Sequence, residues 1–134
     1  IRLQPAVVRY VRMLDAIPSG QAVFPLFETK SDLRGPSRAH GFFSSLVGYY
    51  HIRAGGVSPQ LFDRERSPWE GYLGYKDEGF KSDSLLAADF DPDRFAPRYS
   101  WIIYRGNIRG ITPLLPRYDL AARDSEVWLL KRKE

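Results

Sequence analysis

The chain alternates between stretches whose apolar positions recur at helical spacing and shorter stretches that are apolar throughout. Val7, Val8, Val11 and Leu14 share one face of a predicted first helix, and Pro5 suits its first turn. The Pro-Ser-Gly run that follows ends it. A second helix is predicted from about Arg38 to Arg53, with an apolar stripe of Phe42, Phe43, Leu46, Val47 and Tyr50. Gly55 and Gly56 follow as its stop.

Two short segments, QAVFPLFET and YSWIIYRG, are apolar on both faces. This pattern is typical of strands covered on both sides, as in a parallel sheet. Pro25 cannot donate to a strand ladder, so it favours a sheet edge, a strand end or a bulge. Asp91 is predicted to cap a turn that Pro92 begins. The stretch ITPLLPR favours a helical turn, and YDLAARDSEVWLLKRK favours a hairpin that turns at Asp124 and Ser125.

This order of elements predicts an α/β fold for one domain covering residues 1–134. We expect a small, mostly parallel sheet flanked by helices, with a C-terminal antiparallel hairpin. Hydrophobic residues make up 43% of the chain and charged residues 27%, which is typical of a soluble globular protein. The sequence has no apolar run of ~18 residues that could cross a membrane. Because it begins with Ile1 rather than Met, we expect a piece excised from a longer chain.

Composition narrows the possible chemistry. The chain has no cysteine, which excludes disulfides, thiolate metal sites and cysteine catalysis. The net charge of +4 suggests anionic partners. Most arginines are nevertheless scattered among acidic residues, and only the final KRKE forms a basic cluster, so we expect no nucleic-acid partner. A binder of nucleic acid or anionic lipid that uses these arginines stays an alternative.

His51 is the first candidate for catalysis. It lies near the predicted end of the second helix, where the helix dipole favours its charged form. It could act as a general base with a carboxylate such as Asp63, or it could be a boundary side chain bonded to a loop carbonyl. No metal is expected, because His40 lies eleven residues from His51 and the alternating acids from Asp89 lack the later residues of a calcium loop.

Two groups of residues are candidates for ligand binding. Arg64, Arg66 and Trp69 combine guanidinium groups with an aromatic ring, as sites for sugars or phosphates do. Arg105, Asn107 and Arg109 follow the clearest strand, at the position where ligands bind in open α/β sheets. The glycine-rich phosphate and dinucleotide motifs are missing, so we expect no cofactor.

Three patterns carry a resemblance: P-x-G-x-x-V-x-P-L from Pro18, H-x-x-x-G-G from His51, and a closing W-x-L strand from Trp128. Together they resemble the soluble C-terminal domain of bacterial polytopic membrane proteins similar to the dolichyl-phosphate-mannose protein mannosyltransferase class. The resemblance spans most of the chain without including a catalytic motif, and it gives no role to the loop 64–81.

The resemblance implies a domain at the extracytoplasmic, periplasmic face of a bacterial inner membrane. Its partners would be the transmembrane part of the same chain and a lipid-linked sugar or its acceptor. Catalysis by the parent glycosyltransferase would use acidic residues outside this chain. We therefore expect a non-catalytic accessory or binding domain. The alternative is a small free-standing α/β hydrolase-type enzyme that uses His51 with a carboxylate.

Overall fold

The computed structural model describes residues 4–33, 43, 46–56 and 85–134. The α-helices in this part of the chain are α1 (Pro5–Asp15), α2 (Lys30–Leu33), α3 (Val47–Ala54) and α4 (Pro92–Phe95). Three short 3-10 helices lie at Ala87–Asp89, Ile108–Gly110 and Thr112–Leu114. The strands are β1 (Val23–Phe27), β2 (Trp101–Arg105), β3 (Tyr118–Asp124) and β4 (Val127–Arg132). The domain is therefore a mixed α/β fold, as the sequence predicts.

The four strands form one sheet in the order β1-β2-β4-β3. β1 and β2 are parallel, whereas β2–β4 and β4–β3 are antiparallel. The prediction of a mostly parallel sheet is wrong, because one of the three strand pairs in the described sheet is parallel and two are antiparallel. The hairpin does not extend a parallel sheet at its edge; instead its apolar strand β4 lies between β2 and the polar outer strand β3. The predicted turn is confirmed, with Ser125 in the left-handed region at φ 57°.

Both faces of the sheet are covered. The pairing register places Phe27 and Arg105 on one face, where α1 packs and the Tyr10 ring stacks on Phe27 at 6.3 Å. The opposite face carries Phe24, whose ring contacts Phe90, Phe95 and Tyr99 at centroid distances of 4.9, 5.3 and 5.1 Å. All five residues of β1 are buried, as expected for a strand covered on both sides. Pro25 is tolerated because β1 is a terminal strand of the sheet.

Local signals fix the ends of several elements. Pro5 begins α1, and the Asp91 carboxylate accepts hydrogen bonds from the backbone N–H groups of Asp93 and Arg94. Gly55 follows α3 at φ 72°, a left-handed conformation that ends helices at little cost for glycine. The sequence predicts each of these signals. Of the predicted stripe on the second helix, Phe43, Val47 and Tyr50 are fully buried, Leu46 is half-buried, and Phe42 lies outside the described residues.

Candidate functional site

The carboxyl ends of β1 and β2 meet at one edge of the sheet, together with the β3–β4 turn. Glu28 N–H donates to the Arg105 carbonyl at 3.1 Å, and Gly106 N–H donates to the Glu126 carbonyl at 2.9 Å. These bonds hold the three chain segments side by side. We call this edge the clamped end and define it by the charged residues Arg9, Glu28, Asp32, Arg105, Arg109 and Glu126.

Glu126 is the centre of the first ionic cluster. Arg9 grips its carboxylate with two hydrogen bonds, from Nε at 3.1 Å and from Nη2 at 2.8 Å. Burial by itself would raise the pKa of Glu126, but the hydrogen bonds from Arg9 hold it below the usual value. The same pairing raises the pKa of Arg9. Both groups are therefore ionised, and Glu126 is better suited to an electrostatic role than to proton transfer.

Arg105 extends this cluster toward α2. Its Nη1 donates to the Asp32 carbonyl at 2.7 Å, and its Nε lies 3.8 Å from Oε1 of Glu126. The guanidinium also lies 4.0 Å from the centre of the buried Phe43 ring, a cation–π contact. Only 17% of the Arg105 side chain is exposed. The arginine thus fastens α2 and the hairpin turn to the end of β2.

Two polar atoms at the clamped end are buried without a hydrogen-bond partner among the described residues. They are the Tyr10 hydroxyl and Nε of Arg105. The Tyr10 ring also meets Phe43 edge-on at 5.4 Å, and its burial raises the pKa of the phenol well above the ordinary value. The Tyr10 phenol is therefore uncharged at any physiological pH.

Asn107 and Arg109 belong to a second cluster, in the loop after β2. Glu28 accepts hydrogen bonds from the Asn107 backbone N–H at 2.9 Å and from Nη2 of Arg109 at 3.3 Å. The Asn107 side chain caps the following 3-10 helix by accepting from the Arg109 backbone N–H. The loop wraps closely around the Tyr104 hydroxyl, which donates to the Asn107 carbonyl at 2.8 Å.

The structure therefore separates the three residues predicted to bind an anion after β2. Arg105 lies with Asp32 and Glu126, whereas Asn107 and Arg109 lie with Glu28. Both arginines have a carboxylate within 4 Å, but the Arg105 side chain is only 17% exposed, whereas that of Arg109 is 81% exposed and is the more accessible of the two to a ligand. Ligand binding by these residues stays a prediction.

The other candidates fall largely outside the described structure. Asp63, Arg64, Arg66 and Trp69 lie outside the described residues, as does the rest of the loop 64–81. His51 is within α3, but its side chain is not described. In the described ranges no three His, Asp or Glu side chains are grouped so that they could hold a metal ion. Nor does any helix in these ranges have the length and apolar character to span a membrane.

Sequence reasoning missed Arg9, Glu28, Asp32 and Glu126. Arg9 and Glu126 are 117 positions apart, so no local pattern could pair them. Glu28 had a usable signal, because it lies near the end of the predicted strand segment QAVFPLFET, just as Arg105 lies near the end of YSWIIYRG. Acidic residues after one parallel strand and basic residues after its neighbour predict contact at a shared edge.

Two patterns that carry the family resemblance meet away from this site. The Tyr50 hydroxyl donates to the Pro18 carbonyl and accepts from the Gln21 N–H at 2.9 Å. The Gly20 N–H donates to the Ala54 carbonyl at 2.8 Å. Gly56 lies so close to the Tyr50 ring and the Gln21 carbonyl that an added Cβ would overlap both. The turn after α1 and the end of α3 therefore form one packed unit.

Comparison with protein families, with curated proteins and with solved structures finds no match to this chain.

Proposed function

We propose that this chain is a non-catalytic accessory or binding domain on the extracytoplasmic face of a glycosyltransferase-like integral membrane protein. Its partners in this proposal are the transmembrane part of the same protein and a lipid-linked sugar or its acceptor. Two observations support the proposal. One is the sequence resemblance, and the other is the structural role of the residues that carry it.

The observation that carries the proposal is the contact between the two resemblance patterns. Tyr50, in the residues just before His51, bonds to the turn that contains Pro18, and Gly56 packs on the Tyr50 ring. These residues build a rigid corner rather than line a reaction centre. At the clamped end, likewise, the charged groups neutralise one another, which suits a scaffold. Such a domain would act through its surface.

The first test asks where the native protein is and how long it is. An antibody raised against the 134-residue chain is used on membrane and soluble fractions of the source organism. We expect the antigen in the membrane fraction, in a polypeptide longer than this chain, and accessible to added protease once the outer layers of the cell are opened. A short cytosolic polypeptide would overturn the proposal.

The second test separates an accessory domain from a hydrolase-type enzyme. His51→Gln and Asp63→Asn are introduced into the native protein. Its glycosyl-transfer and hydrolytic activities are measured together with the thermal stability of the domain. If the domain is a non-catalytic accessory one, the activity of the native protein is unchanged in both variants. Loss of activity in both, with unchanged stability, would instead identify His51 and Asp63 as a base system.

A further inference from the structure

A basic surface lies at the opposite end of the sheet from the clamped end, where β4 finishes. We call it the basic end and define it as Arg117, Lys131, Arg132 and Lys133, all exposed. An open groove of about 460 Å³ runs along it, lined by Gln21, Ser100, Trp101, Lys131, Arg132, Lys133 and Glu134. Arg132 and Lys133 also line an adjoining groove of about 420 Å³.

Two of these cations have no carboxylate within 4 Å in the described part of the chain. The Lys131 ammonium lies 5.8 Å from the centre of the Trp101 ring. Arg132 Nη1 donates to the carbonyls of Ala96 at 2.7 Å and Pro97 at 3.1 Å. Carbonyl oxygens and an aromatic ring orient a cation without cancelling its charge. Both positive charges are therefore available to a ligand.

The remaining charges at this end balance more closely. Arg117 pairs with Asp93, and Nζ of Lys133 lies 3.8 Å from Oδ1 of Asp119, beyond hydrogen-bond distance. Glu134 lines both grooves and offsets part of the positive charge. The excess is thus concentrated on Lys131 and Arg132.

We propose that the groove at the basic end binds a phosphate group. Within the described part of the chain Arg132 is held through Nη1 only, so its Nε and Nη2 remain as a two-donor fork that matches two phosphate oxygens. Lys131 adds a point charge beside it. A nucleic acid is less suited, because its binding neutralises a longer series of phosphates than two cations can reach. The proposal holds whether or not the chain belongs to a membrane protein.

The phosphate could belong to a lipid headgroup or to a soluble compound, and two probes distinguish these sources. Binding of inorganic pyrophosphate is measured by titration calorimetry. Binding to vesicles of phosphatidylglycerol is measured by cosedimentation, with vesicles of phosphatidylcholine, a zwitterionic lipid of no net charge, as the reference. Each measurement is made at about 50 mM salt and repeated at about 200 mM, because binding between exposed charges weakens as salt screens them.

The variants are chosen to separate loss of the site from loss of the fold. Lys131→Gln removes the charge of a side chain that makes no hydrogen bond to the described residues, and we expect binding about fivefold weaker. Lys131→Gln combined with Arg132→Gln should weaken it about 25-fold. Arg12→Gln removes a similarly exposed charge near the clamped end and should leave binding unchanged. Thermal unfolding of each variant reports on the fold.

Pyrophosphate binding that is lost in the double variant supports a soluble phosphate ligand. Binding to phosphatidylglycerol vesicles only, with the same loss, supports a lipid headgroup. If the wild-type chain binds neither pyrophosphate nor phosphatidylglycerol vesicles, the proposal is overturned. Binding that Lys131→Gln and Arg12→Gln weaken equally would also overturn it, as would tighter binding of a single-stranded oligonucleotide that is insensitive to Lys131.

Discussion

The two ends of the sheet use the same kind of residue in opposite ways. At the clamped end Arg9 and Arg105 contact the Glu126 carboxylate, and both side chains are mostly buried. At the basic end Arg132 is exposed, and its side chain donates to the carbonyl oxygens of Ala96 and Pro97 and to no carboxylate of the described residues. An arginine held by a carboxylate stabilises the fold, whereas an arginine oriented by carbonyls keeps its charge for a ligand. Changes at the clamped end should therefore alter stability, and changes at the basic end should alter binding.

The largest effect is expected from Gly110→Ala at the clamped end. An added Cβ would overlap the Tyr104 hydroxyl and lie 2.5 Å from the ring carbon that bears it. Because the Tyr104 ring is fully buried, it cannot move aside. We expect the free energy of unfolding, measured by urea denaturation, to fall by about 3 kcal/mol. Gly48→Ala in α3 is the matched control, because a Cβ added at Gly48 would have no neighbouring atom within 4 Å. This change should instead stabilise the protein by up to about 1 kcal/mol. Equal effects at the two glycines would contradict the close packing of the loop.

The next effect is that of Glu126→Gln, which removes the charge shared by Arg9 and Arg105. We expect the free energy of unfolding to fall by about 2 kcal/mol near neutral pH, because two mostly buried guanidinium groups lose their counter-ion. Asp119→Asn is the matched control. The Asp119 side chain is 69% exposed, and its Oδ1 lies 3.8 Å from Nζ of Lys133, too far for a hydrogen bond. Its effect should stay below about 0.5 kcal/mol. If the control costs as much as Glu126→Gln, the clamped end has no special role in stability.

The contribution of Glu126 should also depend on pH. Its pKa is lower in the folded protein than in the unfolded chain, so folding favours the ionised form. The stabilisation is complete above the unfolded glutamate pKa of about 4.3 and is lost as the pH falls through the lower folded value. Free energies of unfolding of the wild type and Glu126→Gln, measured from neutral pH downward, should converge in acid. A constant gap would show that the ion pair is not the cause.

A smaller effect of opposite sign is expected at Tyr10. Its hydroxyl is buried without a partner among the described residues, so Tyr10→Phe should be neutral or stabilise by up to about 1 kcal/mol. Tyr50→Phe is the matched comparison, because that hydroxyl bonds to Pro18 and Gln21. It should cost about 1 kcal/mol. A destabilising Tyr10→Phe would reveal a polar partner for this hydroxyl.

The smallest effect on stability is expected at the basic end. Lys131→Gln should change the free energy of unfolding by less than about 0.5 kcal/mol, since this exposed side chain makes no ion pair in the described structure. Arg9→Gln, which removes one charge at the clamped end, should cost about 1 to 2 kcal/mol. Chemical denaturation of both variants tests the comparison directly. It fails if the lysine proves to be the more costly change.

Local features of this fold could be predicted from the sequence. The start of α1 at Pro5, the cap at Asp91 and the stop at Gly55 depend on backbone conformations that single residues impose. Strands that are apolar on both faces were correctly expected to be buried. The arrangement of the sheet was not predicted, because the same apolar pattern suits a parallel strand and a central antiparallel one. β4 is the example: it is apolar like β2, but it pairs antiparallel to it.

The candidate sites, like the fold, were predictable in their local features but not in their arrangement in space. The sequence by itself determined that this is an α/β domain without cysteine chemistry, and it placed charged residues after β2 and at the end of β4. Only the tertiary structure decided which of those charges are engaged. Glu126 reaches Arg9 from 117 positions away, and that pairing exists because the hairpin turn folds beside α1. Coulombic interactions depend on distance in space and on burial, and neither quantity can be read from the order of residues along the chain.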